Sequence, residues 1–467
     1  MRLFLFRACF FLDPVVLYMA NERNSAMIIE LKLKNWTSFR DETTFSLATT
    51  DERRLKARIP RIRKNPALSV LPVSVLYGGN ASGKTNLFSL LAFLQGIIVA
   101  PLHDEGKEIP LDVFLLDSES QKMPTEITLS FLSADEKIYT FELSLTRKEI
   151  LKESLSVVKR QGEVKIFTRQ NGHVELIDRR LQKDKDAIAF AQIIQRNQSF
   201  LGIAGNKVKS LNGAYRWFRN QLSLINTRSL FQGFWDMFVS APSDIEHLSQ
   251  ILKQLDTGIC RLELEDSTFA ALPANMFSES ELNSRLNNGE VIELNIRGLR
   301  YIVRKDDGKV SVKKMVSYHQ NAEGKQVKFE LSNESEGSLR LLDILPAFID
   351  LGKNDLRKVY VIDELDRSWH YALSQRLLGI YLSHCSPESR SQLLFSTQDL
   401  MLMDQDIFRR DEIWIVERNT GGVSTLFPLS AFDIRYDKDI RKLYLQGAIG
   451  GIPQMTAFGS LARDKEA

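Results

Sequence analysis

Residues 78–85, Gly-Gly-Asn-Ala-Ser-Gly-Lys-Thr, match the pattern G-x-x-x-x-G-K-[ST] at every position. An apolar run at 71–77 precedes them, and a helical pattern follows. Glycines let backbone amides turn around a phosphate, and the start of a helix adds its positive end. The motif therefore predicts a nucleotide site in which Lys84 bridges the β- and γ-phosphates and Thr85 ligates Mg2+.

A second group of polar residues follows the apolar run Val-Tyr-Val-Ile at 359–362. Asp363, at the predicted strand tip, can hold Mg2+ through water, and Glu364 beside it can polarise an attacking water. Such a pair predicts hydrolysis of the nucleotide. The structural alternative is that the two acids cap the helix that follows.

Two further segments supply candidates for contact with the γ-phosphate. The predicted strand 391–398 ends in Thr397 and Gln398, either of which could face the nucleotide, although polar strand ends are common. Ser335 and Gly337 begin a predicted helix and form a second anion site. If that site faced a second subunit, ATP would join two chains; the alternative is an ordinary N-capped helix.

The bulk composition is that of a soluble globular protein. Of 467 residues, 43% are hydrophobic and 26% charged, and 62 Lys plus Arg against 59 Asp plus Glu give a net charge of +3. So small an excess does not indicate a dedicated polyanion binder. The densest basic run, 51–64, favours a solvated loop over a nucleic-acid contact.

The three cysteines, Cys9, Cys260 and Cys385, are far apart in the sequence and form no zinc-type spacing. Neither a disulfide framework nor a zinc site is indicated, so we expect a reducing, cytoplasmic setting. We also expect no membrane partner. Residues 1–26 contain an apolar stretch that charges and a proline interrupt. This extension favours an over-long start over a functional leader or a membrane span.

The order of periodicities predicts an α/β fold. A β-hairpin opens the domain at residue 27, and short alternating runs between 111 and 178 predict an antiparallel meander. Residues 184–255 have helical periodicity, and strands return from 289 to 331. We expect an ATPase lobe at 27–180, an inserted, mainly helical lobe with strands at its end at 181–327, and a second ATPase lobe at 328–460.

Taken together, these motifs resemble the ABC-type ATPase heads of SMC, RecF and OLD proteins. The resemblance is strongest to stand-alone AAA-family ATPases of bacterial defence loci, the RloA-like and AbiLi-like group. It extends from about Met27 to Pro453. The matching stretches are "MIIELKLKNWTSFRDETTFSL", "YGGNASGKTNL", "LKQLDTGI", "ELSNESEGSLRLLDILP", "VYVIDELDRSWH", "FSTQDLMLMD" and the tail beginning "FRRDEIWIVERNTGG".

The resemblance implies roles for residues in each motif. Residues 78–85 would be the Walker A motif, and the strand before Asp363 would be the Walker B motif. Ser335 and Gly337 would be the signature that acts on a partner's nucleotide, and Asp366 would lie near the dimer partner. Gln398 stands where these families often carry histidine, so a switch role carries over but an acid role does not. The implied nucleotide-binding residues are Gly78, Gly79, Asn80, Ala81, Ser82, Gly83, Lys84, Thr85, Asn86, Ser335 and Gly337.

Two features of the SMC and OLD families, the coiled-coil arm and the fused nuclease domain, are missing from this sequence. No sustained heptad repeat lies between Thr85 and Asp363, so the coiled-coil arm of an SMC protein is missing. Too few residues follow Gln398 for the nuclease domain fused to OLD-type ATPases. We therefore expect any nuclease or toxin effector to be a separate chain.

Three functions agree with an ATPase of this kind. The first is an ATP-driven, dimerising switch in anti-phage defence that controls a separate effector. The second is a RecF-like clamp with ATP-dependent affinity for DNA. The third, a transporter ATPase subunit, is disfavoured by the large inserted lobe and by a signature that departs from LSGGQ.

Overall fold

The structure is a computed structural model. It describes residues 26–62, 65, 68–226, 231, 233–239, 242–255, 257–272, 280, 283–284, 286–353 and 357–452. The predicted extension 1–26 therefore lies outside the described residues except for Ala26. None of the helices found in the described ranges has both the length and the apolar character needed to cross a membrane.

The described residues form two units. The large unit takes 26–224, 357–366 and 382–452, and the small unit takes 225–353 and 367–381, with the gaps given above. Each unit is thus assembled from segments that are distant in the sequence. The predicted boundaries at 27–180, 181–327 and 328–460 stay a prediction.

The strands are β1 Met27–Lys34, β2 Thr43–Ser46, β3 Val73–Tyr77, β4 Thr125–Leu132, β5 Ile138–Leu145, β6 Ile150–Lys159, β7 Gly162–Gln170, β8 His173–Leu176, β9 Leu222–Ile225, β10 Ile259–Ser267, β11 Val291–Ile296, β12 Leu299–Asp306, β13 Lys309–Gln320, β14 Gln326–Glu330, β15 Val359–Ile362, β16 Gln392–Ser396, β17 Ile413–Arg418 and β18 Ser424–Pro428. The α-helices are α1 Lys84–Val99, α2 Lys185–Ile193, α3 Phe200–Ala204, α4 Asn212–Arg216, α5 Phe234–Val239, α6 Pro242–Gln254, α7 Glu336–Leu351, α8 Tyr371–His384 and α9 Ile440–Leu445.

A seven-stranded antiparallel sheet in the large unit has the order β2-β1-β4-β5-β6-β7-β8. Its opening hairpin pairs Leu31 with Phe45, and both side chains are buried. Alternation between buried and partly exposed positions in β1 follows the two-residue period of a strand. The hairpin and the meander predicted from the sequence are confirmed.

A six-stranded sheet in the order β18-β17-β3-β16-β15-β9 forms the centre of the large unit. Strands β17, β3, β16 and β15 run parallel. Every residue of β3, β15 and β16 is buried, as expected for parallel strands covered on both faces. The carboxyl ends of these three strands share one edge of the sheet, and this edge positions the predicted site residues.

The predicted helical stretch 184–255 is partly different in the structure. Helices α2, α3 and α4 are present, and α5 and α6 follow later, but a π-helical turn at Trp217–Gln221 interrupts the helical path, and the next residues form β9. Gln95 on α1 donates to the carbonyls of Phe218 and Leu222 at 2.7 and 2.8 Å. These tertiary bonds hold the chain in a turn that its own periodicity does not predict.

The small unit contains a sheet in the order β10-β13-β12-β11, with β14 also paired to β13. The strands predicted between 289 and 331 are therefore confirmed as β11 to β14. Helix α7 follows β14 and keeps Pro346 in its interior. One apolar cluster of this unit consists of Leu272, Leu286, Ile296, Tyr301, Val303 and Val312.

Candidate nucleotide-binding site

The phosphate loop, residues 78–85, joins β3 to α1 and depends on two glycines for its shape. Gly78 and Gly83 have positive φ values of 155° and 118°. A Cβ on Gly78 would lie 2.3 Å from the Val416 carbonyl oxygen, and one on Gly83 would lie 2.6 Å from Ser424 Oγ. Any larger residue would push the loop away from the sheet, so both glycines are required by packing as well as by conformation.

Backbone N–H groups of this loop are available to an anion. In the part of the chain that the structure describes, those of Asn80, Ala81 and Gly83 have no hydrogen-bond partner. Gly83 precedes the first residue of α1 and provides no side-chain cap, so the helix start keeps its positive character. These features fit a bound phosphate group.

Lys84 directs its ammonium group into the same loop. Its Nζ donates to the carbonyl oxygens of Gly78 and Gly79 at 2.6 and 3.1 Å, and the side chain is buried. Burial lowers the pKa of Lys84, while the carboxylates of Asp363, Glu364 and Asp366 oppose that shift. A phosphate could replace the two carbonyl partners and would neutralise the partly desolvated charge.

The acidic pair follows β15, as the sequence predicts. Asp363 is buried and accepts through Oδ2 from Thr85 Oγ1 at 2.8 Å. Glu364 has a left-handed backbone with φ of 50°, a strained conformation for a residue with a side chain. The structure thus brings Thr85 and the two acids together, although 278 residues separate Thr85 from Asp363.

The end of β16 lies beside the acidic pair. Thr397 is buried, and its side chain hydrogen-bonds to Asp366, which also accepts from the backbone of Gln398. Burial raises the pKa of Asp366, while these hydrogen bonds oppose the shift. The Gln398 side chain is exposed to solvent.

Ser335 and Gly337 lie in the small unit. Ser335 is exposed, and its Oγ accepts from the N–H of Ser338 at 3.1 Å, as an N-cap of α7. A Cβ on Gly337 would lie 2.5 Å from the Ser368 carbonyl oxygen, so this position has no room for a side chain.

Comparison with known proteins places this geometry in a family. The family model described as "AAA domain, putative AbiEii toxin, Type IV TA system" matches residues 73–404, well over half of the chain. The chain belongs to this family. No curated protein sequence matches the chain.

Solved structures also align with most of the chain. The SMC head domain from Thermotoga maritima has 14% identity and a TM-score of 0.32, covering 86% of this chain and 98% of that one. An SMC head bound to the C-winged helix domain of ScpA has 11% identity and a TM-score of 0.40, covering 86% and 97%. The recombination mediator RecF with ATP has 11% identity and a TM-score of 0.36, covering 88% and 100%.

As a member of this AAA-domain family, the protein is a nucleotide-binding ATPase, with its phosphate loop between a parallel strand and a helix. The match begins at the first residue of β3 and ends after β16. It therefore includes the phosphate loop, the acidic pair and helix α7 with its N-cap Ser335.

One residue that sequence reasoning missed holds the acidic pair of this AAA-domain ATPase in place. Ser396 Oγ donates to Asp363 Oδ1 at 2.6 Å and accepts from the N–H of Glu364 at 2.8 Å. A serine at the end of an apolar strand is too common to be singled out from the sequence. Only the pairing of β15 with β16 shows what it contacts.

A second set of missed contacts lies beneath the phosphate loop. Ser424 Oγ donates to the Ser82 carbonyl at 2.5 Å and lies 2.7 Å from Ser38 Oγ, whose hydroxyl can donate to it. Ser38 Oγ in turn accepts from Asn86 Nδ2 at 2.7 Å. Asn86, predicted to bind nucleotide, thus connects α1 to the segment between β1 and β2.

Proposed function

We propose that this ATPase is an ATP-driven dimerisation switch and the sensor or regulator of a bacterial anti-phage defence system. It would belong to the RloA-like and AbiLi-like group, act in the cytoplasm and control a separately encoded nuclease or toxin. The family description, which names a putative toxin of a toxin–antitoxin system, supports this setting. The observation that carries the chemistry is the meeting of Lys84, Thr85 and Asp363 at one edge of the parallel sheet.

The residues of this edge have separate roles in the proposed reaction. Lys84 exchanges its two carbonyl partners for oxygens of the β- and γ-phosphates. Glu364, whose N–H is fixed by Ser396, holds the attacking water and takes up its proton. The N–H groups of the phosphate loop orient the nucleotide for that attack.

Thr85 and Asp363 are the residues that would hold Mg2+. Their oxygens lie 2.8 Å apart, and within the described residues no group of three or more His, Cys, Asp or Glu forms an all-protein metal site. Mg2+ commonly takes one or two protein oxygens and completes its shell with phosphates and water, so this pair fits. When bound, the ion supplies positive charge to the phosphates.

Ser335 and Gly337 would act on the nucleotide of a second copy of the chain. Ser335 is exposed, and Gly337 keeps the helix start close to the backbone of Ser368. Glu336, in the first turn of α7, lies 3.6 Å from the Arg367 guanidinium, which offsets its negative charge. Exposed Gln398 would report the state of the γ-phosphate as a hydrogen-bond donor.

The alternative function is that of a RecF-like clamp with ATP-dependent affinity for DNA. Part of the basic run 51–64 is occupied by internal ion pairs, because Arg54 lies 2.8 Å from Asp406 and buried Arg58 pairs with Glu412. These pairs leave fewer free cations for a nucleic acid and favour the switch over the clamp.

Phage challenge of cells that carry the chain together with its neighbouring gene tests the proposal. We expect protection with the wild type, and loss of protection with Lys84→Ala and with a disrupted neighbour. Protection that survives Lys84→Ala would contradict the switch. ATP-dependent DNA binding by the purified chain, without any effect of the neighbouring gene on protection, would replace the switch with the clamp.

A further inference from the structure

A tight turn after α9 brings the C-terminal part of the large unit to the phosphate loop. Gly447, Gly450 and Gly451 in this turn all have left-handed backbones, with φ values of 75°, 72° and 78°. Residues with side chains rarely adopt that conformation, so the sequence Gln-Gly-Ala-Ile-Gly-Gly specifies the turn closely.

The turn places one carbonyl oxygen between two donors. The Gly451 oxygen accepts from the N–H of Gly79 at 2.9 Å and from Tyr444 Oη at 2.8 Å. Tyr444 is 6% exposed, so its hydroxyl has little access to bulk water as an alternative partner. The buried carbonyl thus links a tyrosine of α9 to the second residue of the phosphate loop.

The carbonyl group of Gly79 is also held by hydrogen bonds. Its carbonyl oxygen accepts from Lys84 Nζ at 3.1 Å and from the N–H of Ser82 at 3.2 Å. The Gly79 N–H shares a peptide group with the Gly78 carbonyl, and this oxygen accepts from Lys84 Nζ at 2.6 Å. Hydrogen bonds therefore connect Tyr444 through Gly451 and the Gly78–Gly79 peptide group to Lys84. Rotation of the peptide group between Gly78 and Gly79 would therefore break its contacts with both Gly451 and Lys84.

We propose that Tyr444 is a positioning residue for the phosphate loop, acting through the Gly451 carbonyl on the Gly79 N–H. The loop is thereby held in its phosphate-accepting shape before nucleotide arrives, which removes an ordering cost from binding. The inference rests on the proposed role of residues 78–85 as the phosphate site. It adds a residue outside the nucleotide motifs to the machinery that binds ATP.

The chemistry of Tyr444 suits a permanent donor. Burial, with a smaller contribution from the Glu417 carboxylate, raises the pKa of Tyr444 to about 12. The hydroxyl therefore keeps its proton at all ordinary pH values. Tyr444 also lies against Tyr77, the last residue of β3, with ring centroids 6.5 Å apart, so its ring contacts the strand that leads into the loop.

Tyr444→Phe is the direct test, because it removes the hydroxyl and keeps the ring. In nucleotide-free protein, we expect hydrogen exchange at the Gly79 amide to become about fivefold faster, as expected for the loss of one hydrogen bond. The Kd for a fluorescent ATP analogue and the KM for ATP should rise about fivefold, with kcat within about twofold of wild type.

Tyr139→Phe is the matched control. Tyr139 is also buried in the large unit, but its hydroxyl bonds to Asp135 at 2.7 Å. We expect no change in Gly79 exchange or in nucleotide affinity. An equal effect of the two tyrosine variants on Kd would show a general loss of packing and would contradict the proposal.

Gly451→Ala perturbs the same contact from the other side. The added Cβ would lie 2.7 Å from Ile415 Cγ2 and 2.8 Å from Tyr444 Cε2, whereas a Cβ on Gly447 would meet nothing within 4 Å. Gly447→Ala therefore introduces similar backbone strain without the collision. We expect weaker nucleotide binding from the first variant and a smaller effect from the second; the reverse order would overturn the proposal.

The exchange measurement on wild-type protein needs no variant and no nucleotide. Rapid exchange of the Gly79 amide in that protein would overturn the proposal even if the variants did not fold. Failure of the proposed phosphate site is seen separately, as unchanged nucleotide affinity in Lys84→Ala. If the Gly79 amide is protected but Lys84→Ala binds nucleotide as the wild type does, the hydrogen bond from Gly79 to Gly451 exists. The proposal that this bond serves nucleotide binding would then be wrong.

Discussion

Two helices in this protein, α1 and α7, begin after small residues, but only α7 has a side-chain cap. Helix α1 in the large unit begins after Gly83, which gives no side-chain cap, and the loop before it contacts Val416 and Ser424. Helix α7 in the small unit begins after Ser335, whose hydroxyl caps its own helix at Ser338.

In the proposed dimer, the two helix starts would contribute differently to one composite site. The uncapped start of α1 has N–H groups that require an anion, and the surrounding contacts fix their directions. At the start of α7, the Ser335 hydroxyl already accepts from the N–H of Ser338, so this cap forms without a ligand. Ser335 Oγ also lies 3.0 Å from Ser338 Oγ, and in the proposed dimer this exposed hydroxyl would donate to a phosphate of the partner. We therefore expect α1 to bind nucleotide alone and α7 to matter only on dimerisation.

Lys84→Ala should have the largest effect, because it removes the buried charge that faces two phosphates in the proposed site. We expect nucleotide binding and hydrolysis to be lost, at a cost of several kcal/mol. Isothermal titration with ATP and a phosphate-release assay measure both. Lys137→Ala, at a partly exposed ion pair of the same unit, is the control and should behave as wild type. Retained ATP affinity in Lys84→Ala would move the site elsewhere.

Glu364→Gln should separate binding from hydrolysis within the large unit. The amide keeps the shape of the side chain but cannot take up a proton, so turnover should fall roughly 10²-fold or more. ATP should still bind and should trap a dimer, which size-exclusion chromatography with light scattering detects. Glu388→Gln, at an exposed site, should change nothing. Wild-type turnover in Glu364→Gln would assign the base to another residue.

Ser335→Arg tests the small-unit half of the comparison. A bulky cation at the exposed start of α7 should leave ATP binding unchanged but should prevent ATP-dependent association and lower hydrolysis at least about tenfold. Ser311→Arg adds the same charge at an exposed position of β13 and should have no such effect.

Mixing Ser335→Arg with Lys84→Ala sharpens this test. One composite site of the mixed dimer would carry both changes and the other would carry neither, so hydrolysis should partly recover. Recovery is measured as phosphate release against the proportion of heterodimer. If heterodimers form but stay inactive, ATP occupancy of the single intact site decides between a wrong model and a requirement that both sites act together.

Glu293→Gln should give the smallest effect, on the stability of the small unit and not on catalysis. Glu293 accepts from the N–H groups of Gly233 and Trp235 at 3.1 and 2.9 Å, and burial raises its pKa to about 7. A raised pKa favours the protonated form in the folded state, so stability is lost as the pH rises from about 4.5 through about 7.

Glutamine keeps the accepting oxygen without the charge. The free energy of unfolding of Glu293→Gln should therefore exceed that of the wild type by more at pH 8 than at pH 5, by up to about 3 kcal/mol. Urea unfolding across this pH range measures the difference, with ATP hydrolysis unchanged. If the free energies of unfolding of the wild type and Glu293→Gln change in the same way with pH, ionisation of Glu293 does not destabilise the folded protein.

Several features of the protein follow from short stretches of sequence. The phosphate loop depends on Gly78, Gly83 and Lys84 at fixed spacing between a strand and a helix. The strand before Asp363 is apolar throughout, as a buried parallel strand must be. The residues that make these motifs are adjacent in the chain, so the motifs can be recognised in the sequence without knowledge of the fold. The α/β fold and the ATPase activity follow from them.

Other features required the tertiary structure. The strand at Leu222–Ile225 replaces predicted helix because Gln95, distant in sequence, binds the carbonyls of the turn before it. Ser396 and Tyr444 acquire their roles only where β16 and the turn after α9 meet the site. Local periodicity and spacing describe what a segment can form by itself. The partners of a lone serine or tyrosine depend on which segments pack together, and that is decided by the burial of the whole chain.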